Sequence, residues 1–109
     1  MKVFGMRVEM AESIFEKMKG LMFRKKLDHA LVFKLKKPTR IGASIHSFFV
    51  FFPFDIVWVR KNKVVDLREK VAPFTLNLTP KKEADFFIEL PAGSIKKKKI
   101  KEGSKIKLN

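Results

Sequence analysis

A chain of 109 residues that is 46% hydrophobic, with 12 Phe and one Trp, can bury one core; one domain over 1–109 is expected and a disordered chain is excluded. Cysteine is absent, which excludes a disulfide framework, a thiolate metal site and a cysteine nucleophile. Lys and Arg number 25 against 11 Asp and Glu, and a net charge of +14 brings polyanions and acidic membrane surfaces into consideration as partners.

Residues 1–10 read as a strand with mixed faces. Ser13-Ile14-Phe15-Glu16 has the pattern of a capping box, and Ile14, Met18 and Leu21 follow at helical spacing. They predict one short helix over 13–22, loosened or ended at Gly20. The period then changes to two. Leu31, Phe33 and Leu35 alternate with Val32, Lys34 and Lys36, a half-buried strand expected to end before Pro38. Ile45 to Phe52 and Phe54 to Val59 are apolar on both faces, as central strands are, and Pro53 parts them because it cannot donate to a ladder. Arg60-Lys61-Asn62-Lys63 reads as a hairpin turn, since Asn tolerates a left-handed conformation. Next, Val65, Leu67 and Val71 are expected to face one way, with Asp66, Arg68 and Lys70 facing the other. Phe86, Ile88 and Leu90 form a further strand face closed by Pro91 and Gly93. A last strand would turn Ile106 and Leu108 inward, with Lys105 and Lys107 outward. Short strands so regularly punctuated predict a mainly β fold: a small closed or nearly closed β-barrel or sandwich with one short helix in its N-terminal half.

Several of these segments also carry a family pattern. Gly20-Leu21-Met22-Phe23-Arg24, then Leu27 and Leu31-Val32-Phe33, resembles the opening signature of the prokaryotic family known as domain of unknown function 192. Pro53-Phe54-Asp55-Ile56 is similar to its Pro-Leu-Asp-Ile motif, and Phe87-Ile88-Glu89-Leu90 with Gly93 to its Val-Leu-Glu-Leu segment and glycine. Lys101-Glu102-Gly103 with Ile106 resembles its closing turn and strand. The family commonly has Phe-Trp-Met-Lys-Asn-Thr before the proline motif; here Ile45-His46-Ser47-Phe48-Phe49-Val50 replaces its lysine and asparagine with phenylalanines. The resemblance implies a compact, mainly β fold with a short helix, and it names no reaction.

Met1 to Arg7 lacks the apolar run of a signal peptide. The longest apolar stretch, Phe48 to Val59, holds 12 residues and is broken by Pro53 and Asp55, whereas a spanning helix needs about 20. A cytoplasmic protein is expected. Gln is absent and the only Asn are Asn62, Asn77 and Asn109, a thermophile-like composition, although Glu does not match the lysines as it usually does in thermophiles.

Asp55, Glu89 and His46 are the candidate catalytic residues. Asp55 enters an apolar strand, where a carboxylate is costly unless donors meet it; it serves either as a backbone acceptor or as an acid, base or ligand contact. Glu89 lies between Ile88 and Leu90, facing either solvent or a covered site beside Asp55, where two carboxylates could share acid and nucleophile roles. His46 precedes the aromatic run and could act as base, ligand or core residue. For zinc, only Asp55, Glu89 and His29 could join it, and no ligand spacing supports that; no metal and no cofactor is expected. Phe48, Phe49, Phe51, Phe52 and Phe54 fit core packing better than base stacking, because no Gly- and Arg-interleaved platform accompanies them. Lys96, Lys97, Lys98, Lys99 and Lys101 are the candidate polyanion contacts, in a tract that otherwise reads as a solvated strand or turn; such a run at a sheet edge would also discourage aggregation. Lysines outnumber arginines 20 to 5, which favours charge attraction over bidentate readout. Three functions stay open: a small basic non-catalytic binding or interaction module, which the residues favour, a small hydrolase or lyase using the polar trio, and a non-specific nucleic-acid binder.

Overall fold

Alternating and continuous apolar runs both become strands. The computed structural model describes residues 2–11, 27–40, 52–73, 75 and 77–106. Strands β1 (Lys2–Val3), β2 (Met6–Ala11), β3 (Ala30–Thr39), β4 (Phe54–Arg60), β5 (Lys63–Val71) and β6 (Ala84–Pro91) form one sheet in the order β1-β2-β3-β6-β4-β5. β2 and β3 run parallel and every other neighbouring pair is antiparallel. The sheet curls into a half-barrel, so the mainly β class expected from the sequence holds. A four-residue helix, α1 (Ser94–Lys97), follows β6. The helix expected over 13–22 lies outside the described residues, as do Ile45 to Phe51 and Leu108.

Both faces of the central strands are covered, which explains the unbroken apolar run from Phe54 to Val59. One face carries Leu31, Phe33, Phe54, Ile56, Trp58 and Phe87. Phe33 and Phe87 stack there with ring centroids 4.8 Å apart. The other face carries Val32, Val57, Val59, Ile88 and Leu90, closed over by Ile95, Ile100 and Ile106. Burial of this kind stabilises by roughly 25 cal/mol per Å² of apolar surface. The expected inward faces of Leu31, Phe33 and Leu35, and of Phe86, Ile88 and Leu90, are present.

Four local readings are corrected. Residues 1–10 form a hairpin of two strands, because Phe4 and Gly5 adopt φ 51° and 77° and make the two-residue turn that suits twisted strands. Val32 is fully buried in the second cluster, since the first half of β3 is covered on both faces. β3 continues through Pro38 to Thr39; its pairing with β6 shifts register between Lys34 and Thr39, where a proline costs no regular ladder bond. In β5 the simple alternation fails, and Val65 and Leu67 pack on different clusters. Trp58 faces Asp66 while Val59 faces Val64, so Val65 is an extra, bulged residue that switches the faces. Asp66 is consequently buried rather than outward.

The Arg60–Lys63 hairpin forms as expected, with Lys61 and Asn62 at φ 51° and 64°. Residues 103–106 then run along the outer edge of β5: Val64 N–H donates to Ser104 O and Gly103 N–H to Val64 O, at 2.9 and 2.8 Å. This covers an edge that would otherwise pair with other chains.

Because Ile88 is wholly buried in the central strand β6, Ile88→Ala is expected to cost about 2–5 kcal/mol. Lys34→Ala, on the exposed half of β3, should change stability by no more than about 0.5 kcal/mol. Urea melts of the two variants, with unchanged slope, check the contrast.

Candidate functional site

The second irregularity of β5 generates the best-defined polar feature of the molecule. Phe54 pairs with Val71 and Ile56 with Arg68, so Glu69 and Lys70 together oppose the single residue Asp55. A bulge of this kind releases a backbone amide from the ladder. The N–H of Lys70 donates instead to Asp55 Oδ1 at 2.8 Å. The other carboxylate oxygen, Oδ2, accepts the N–H of Ile95 at 2.8 Å. Ile95 lies in the first turn of α1, whose N-cap is Gly93 with no side-chain cap of its own. Asp55 thus caps a helix from 40 residues away and closes a bulge with the same group. Its exposure is 0%, the burial the sequence suggested. Each hydrogen bond to a charged acceptor is worth about 1.5–3 kcal/mol.

The bulge and α1 form the two walls of an open groove of about 660 Å³. Lys70 and Glu69 come from the bulge, Lys96 from α1, and Lys99 and Lys101 from the segment after it. Lys96 to Lys99 were expected in a solvated strand or turn. They are solvated, but Lys96 and Lys97 belong to α1 and Lys98 and Lys99 to its C-terminal turn. Ile95 and Ile100, both buried, fasten this helix to the second cluster, so the lysines between them are held outward. Lys97 and Lys98 line a neighbouring pocket beside Gly93 and Met6 instead. The candidate polyanion contacts therefore divide over two surfaces, and Lys70, which the sequence did not single out, joins one of them.

Two of the groove lysines stand in left-handed backbone, Lys70 at φ 48° and Lys99 at φ 55°. Lys99 occupies the C′ position of a Schellman ending: Ile100 N–H donates to Ile95 O, and Lys99 N–H to Lys96 O. Glycine is the default residue both there and in bulges, and a non-glycine residue costs roughly 1–2 kcal/mol.

Glu89 is also buried, at 6% exposure, but on the opposite face of the sheet. It pairs across with Leu31 and with Ile56, whereas Asp55 pairs with Leu90. Successive residues of a strand point to opposite faces, so the structure does not bring Asp55 and Glu89 together. His46 and Phe48 to Phe51 lie outside the described residues. Phe54 is buried in the core and Phe52 packs against the same cluster.

Sequence reasoning treated His29 only as a conceivable metal ligand and missed the group around it. His29 Nδ1 lies 2.7 Å from Asp28 Oδ1, and Nε2 lies 2.7 Å from Glu9 Oε1. Arg7 Nη2 stands 3.7 Å from the same Asp28 oxygen. The parallel pairing of β2 with β3 creates this cluster, since it sets Glu9 opposite Leu31, two residues from His29. No single-residue signal revealed it. Asp66 was missed likewise. It accepts the N–H of Lys81 at 2.8 Å and holds Arg68, whose guanidinium lies 5.9 Å from the Trp58 ring centroid.

A curled, mainly β half-barrel with a lysine groove fastened by one buried aspartate is the kind of protein these features define. The chain belongs to the domain of unknown function 192 family, described as Uncharacterized ACR, whose pattern matches residues 2–108. It is 39% identical over 106 residues to a UPF0127 protein of Thermococcus kodakarensis, covering 96% of this chain and 66% of that one, just under two thirds of the relative's length. A UPF0127 protein of Pyrococcus horikoshii is 41% identical, with 92% and 85% covered. The thermophilic character of these relatives fits the amide-poor composition. A crystal structure of a protein of unknown function from Novosphingobium aromaticivorans superposes with TM-score 0.86 at 25% identity, covering 94% of this chain and 75% of that one. One from Sinorhizobium meliloti, whose description proposes a transcription regulator, has TM-score 0.84 at 19% identity, with 92% and 79% covered; that likeness is one of fold. Among the described residues no helix is long and apolar enough to cross a membrane.

Asp55→Ala strands the buried amide of Ile95, at an expected cost of about 1–3 kcal/mol, and the half-buried amide of Lys70, at a smaller one. Asp55→Asn keeps one acceptor and should lose roughly half as much. Denaturant melts of both variants measure the ratio; equal or negligible losses would show that the carboxylate is not the fastener described.

Proposed function

We propose that this protein is a small non-catalytic binding module that attracts polyanions through its lysine-rich surface. One observation carries the reading: Lys70, Lys96, Lys99 and Lys101 gather about one groove where Glu69 is the one acid among the described residues, and all five residues are exposed. Among the described residues none of these four lysines is in an ion pair, so their charge is available to a partner. The position of Asp55 supports binding over catalysis. Both of its oxygens are engaged by backbone amides, and Glu89 faces the other side of the sheet. Lysines act as point charges, which suits attraction without base readout.

Fluorescence anisotropy with labelled single-stranded DNA and RNA tests this. Binding is expected at low salt for both, with no sequence preference. Affinity should fall linearly with log salt, by several-fold or more between about 50 and 200 mM, as counterion release requires. No binding at low salt, or tight binding to one sequence at the higher salt, would overturn it.

A further inference from the structure

Lys70 and Lys99 occupy two positions of independent origin, one a β-bulge and the other a helix C′. Both have left-handed backbone, both would ordinarily be glycine, and both open into the same groove. Among the described residues the other left-handed non-glycine positions, Phe4, Lys61 and Asn62, sit in two-residue hairpin turns that demand that conformation. Turn geometry explains the backbone there, and it explains the backbone at 70 and 99 too. It does not explain why both of these carry a lysine where glycine would be unstrained. Strain retained at a site is evidence of use when the side chain gains something there.

We propose that the groove between the β5 bulge and α1 is a binding site for a short, densely charged chain of phosphates. Lys70, Lys96, Lys99 and Lys101 are its cationic contacts, and Asp55 is the positioning residue that ties its walls together. This deepens the polyanion reading above and rests on it. Among the described residues, four ammonium groups against Glu69 give the groove an excess of three positive charges. The apolar floor is supplied by Ile95 and Ile100, and among the described residues no aromatic ring lines it for a base to stack on. Nor, among the described residues, does an arginine line it to grip one phosphate or carboxylate bidentately. The chemistry selects charge density, which a run of linked phosphates has and a stretch of phosphodiesters has less of. Asp55 acts at a distance: with one oxygen on Lys70 N–H and one on Ile95 N–H, it fixes the wall bearing Lys70 relative to the wall bearing Lys96.

The full chain is titrated calorimetrically with inorganic tripolyphosphate at low ionic strength, with ATP in the absence of divalent metal, and with a short oligothymidylate. Tripolyphosphate and ATP should bind comparably, which assigns recognition to the phosphate chain; much tighter ATP binding would assign it to a nucleoside and overturn the proposal. Combining Lys96→Ala, Lys99→Gly and Lys101→Ala should weaken tripolyphosphate binding by about tenfold or more, while Lys34→Ala, Lys36→Ala and Lys37→Ala together, which remove the same charge from β3, should weaken it by less than about threefold. Equal losses in the two variants would reduce the groove to general charge and overturn the site. Lys70→Gly and Lys99→Gly, tested singly, should raise the melting temperature while lowering affinity, and Glu69→Gln should raise affinity. Unchanged affinity in both glycine variants would also overturn it. Oligothymidylate binding without tripolyphosphate binding rejects the groove and leaves the wider reading standing; no binding of any of the three rejects both.

Discussion

A carboxylate with no exposure to water has to be met by donors, and Asp55 meets two, the amides of Lys70 and Ile95. The bulge at Glu69–Lys70 frees one amide, and the start of α1 presents another. Without the aspartate both would be buried or half-buried orphans. With it, the end of β5, the middle of the sheet and the helix after β6 become one unit. The segment that carries most of the lysine tract therefore has a fixed place on the protein surface. Gly93, at φ 91°, allows the chain to turn from β6 into that helix, and Ser94 Oγ donates back to Pro91 O at 2.6 Å to secure the turn.

The two irregularities of β5 have different consequences. The bulge at Val65 exchanges the faces of the strand and brings Asp66 inward, where it holds Lys81 N–H and Arg68. The bulge at Glu69–Lys70 restores the approach to Val71, which packs on the first cluster. A regular strand in this place would have put Asp66 on the face of Val64 and left Asp55 facing a single ladder partner. Both buried aspartates thus depend on bulges, and each satisfies backbone amides of a segment distant in sequence. At the far side of the sheet a third polar group, Glu9 with Asp28 and His29, joins β2 to the start of β3. Its contacts are partly exposed, so screening limits what each ion pair contributes.

The excess of positive charge has two aspects. In part it follows from a surface that uses lysine wherever the strands turn outward, as along the second half of β3. Elsewhere the lysines are concentrated by the architecture, because α1 is one turn long and is held by Ile95 within it and Ile100 just after it. A short helix of that kind leaves its lysines exposed. The concentration is then a property of the fold as much as of the composition.

Much of the fold was legible because its determinants are local. Period-two alternation gave β3 and β6 their inward faces, and the continuous run from Phe54 to Val59 marked a strand covered on both sides. Lys61-Asn62 announced a turn through a backbone conformation that few residues accept, and the suspicion that Asp55 was buried followed from its apolar neighbours alone. What the sequence could not express was anything that depends on register. Whether Asp55 and Glu89 share a face is decided by their pairing with Leu90 and Ile56, and a shift of one residue reverses it. The bulges at Val65 and Glu69–Lys70 leave no compositional mark, since neither contains glycine. Lys70 lines one groove with Lys96 and Lys99, where a carboxylate at position 55 accepts amides from 70 and 95. The sequence by itself determined a mainly β protein with a buried aspartate and a lysine-rich segment near its end. The tertiary structure alone decided that these two features form one place, because hydrogen bonds between distant segments are made in space and have no period along the chain.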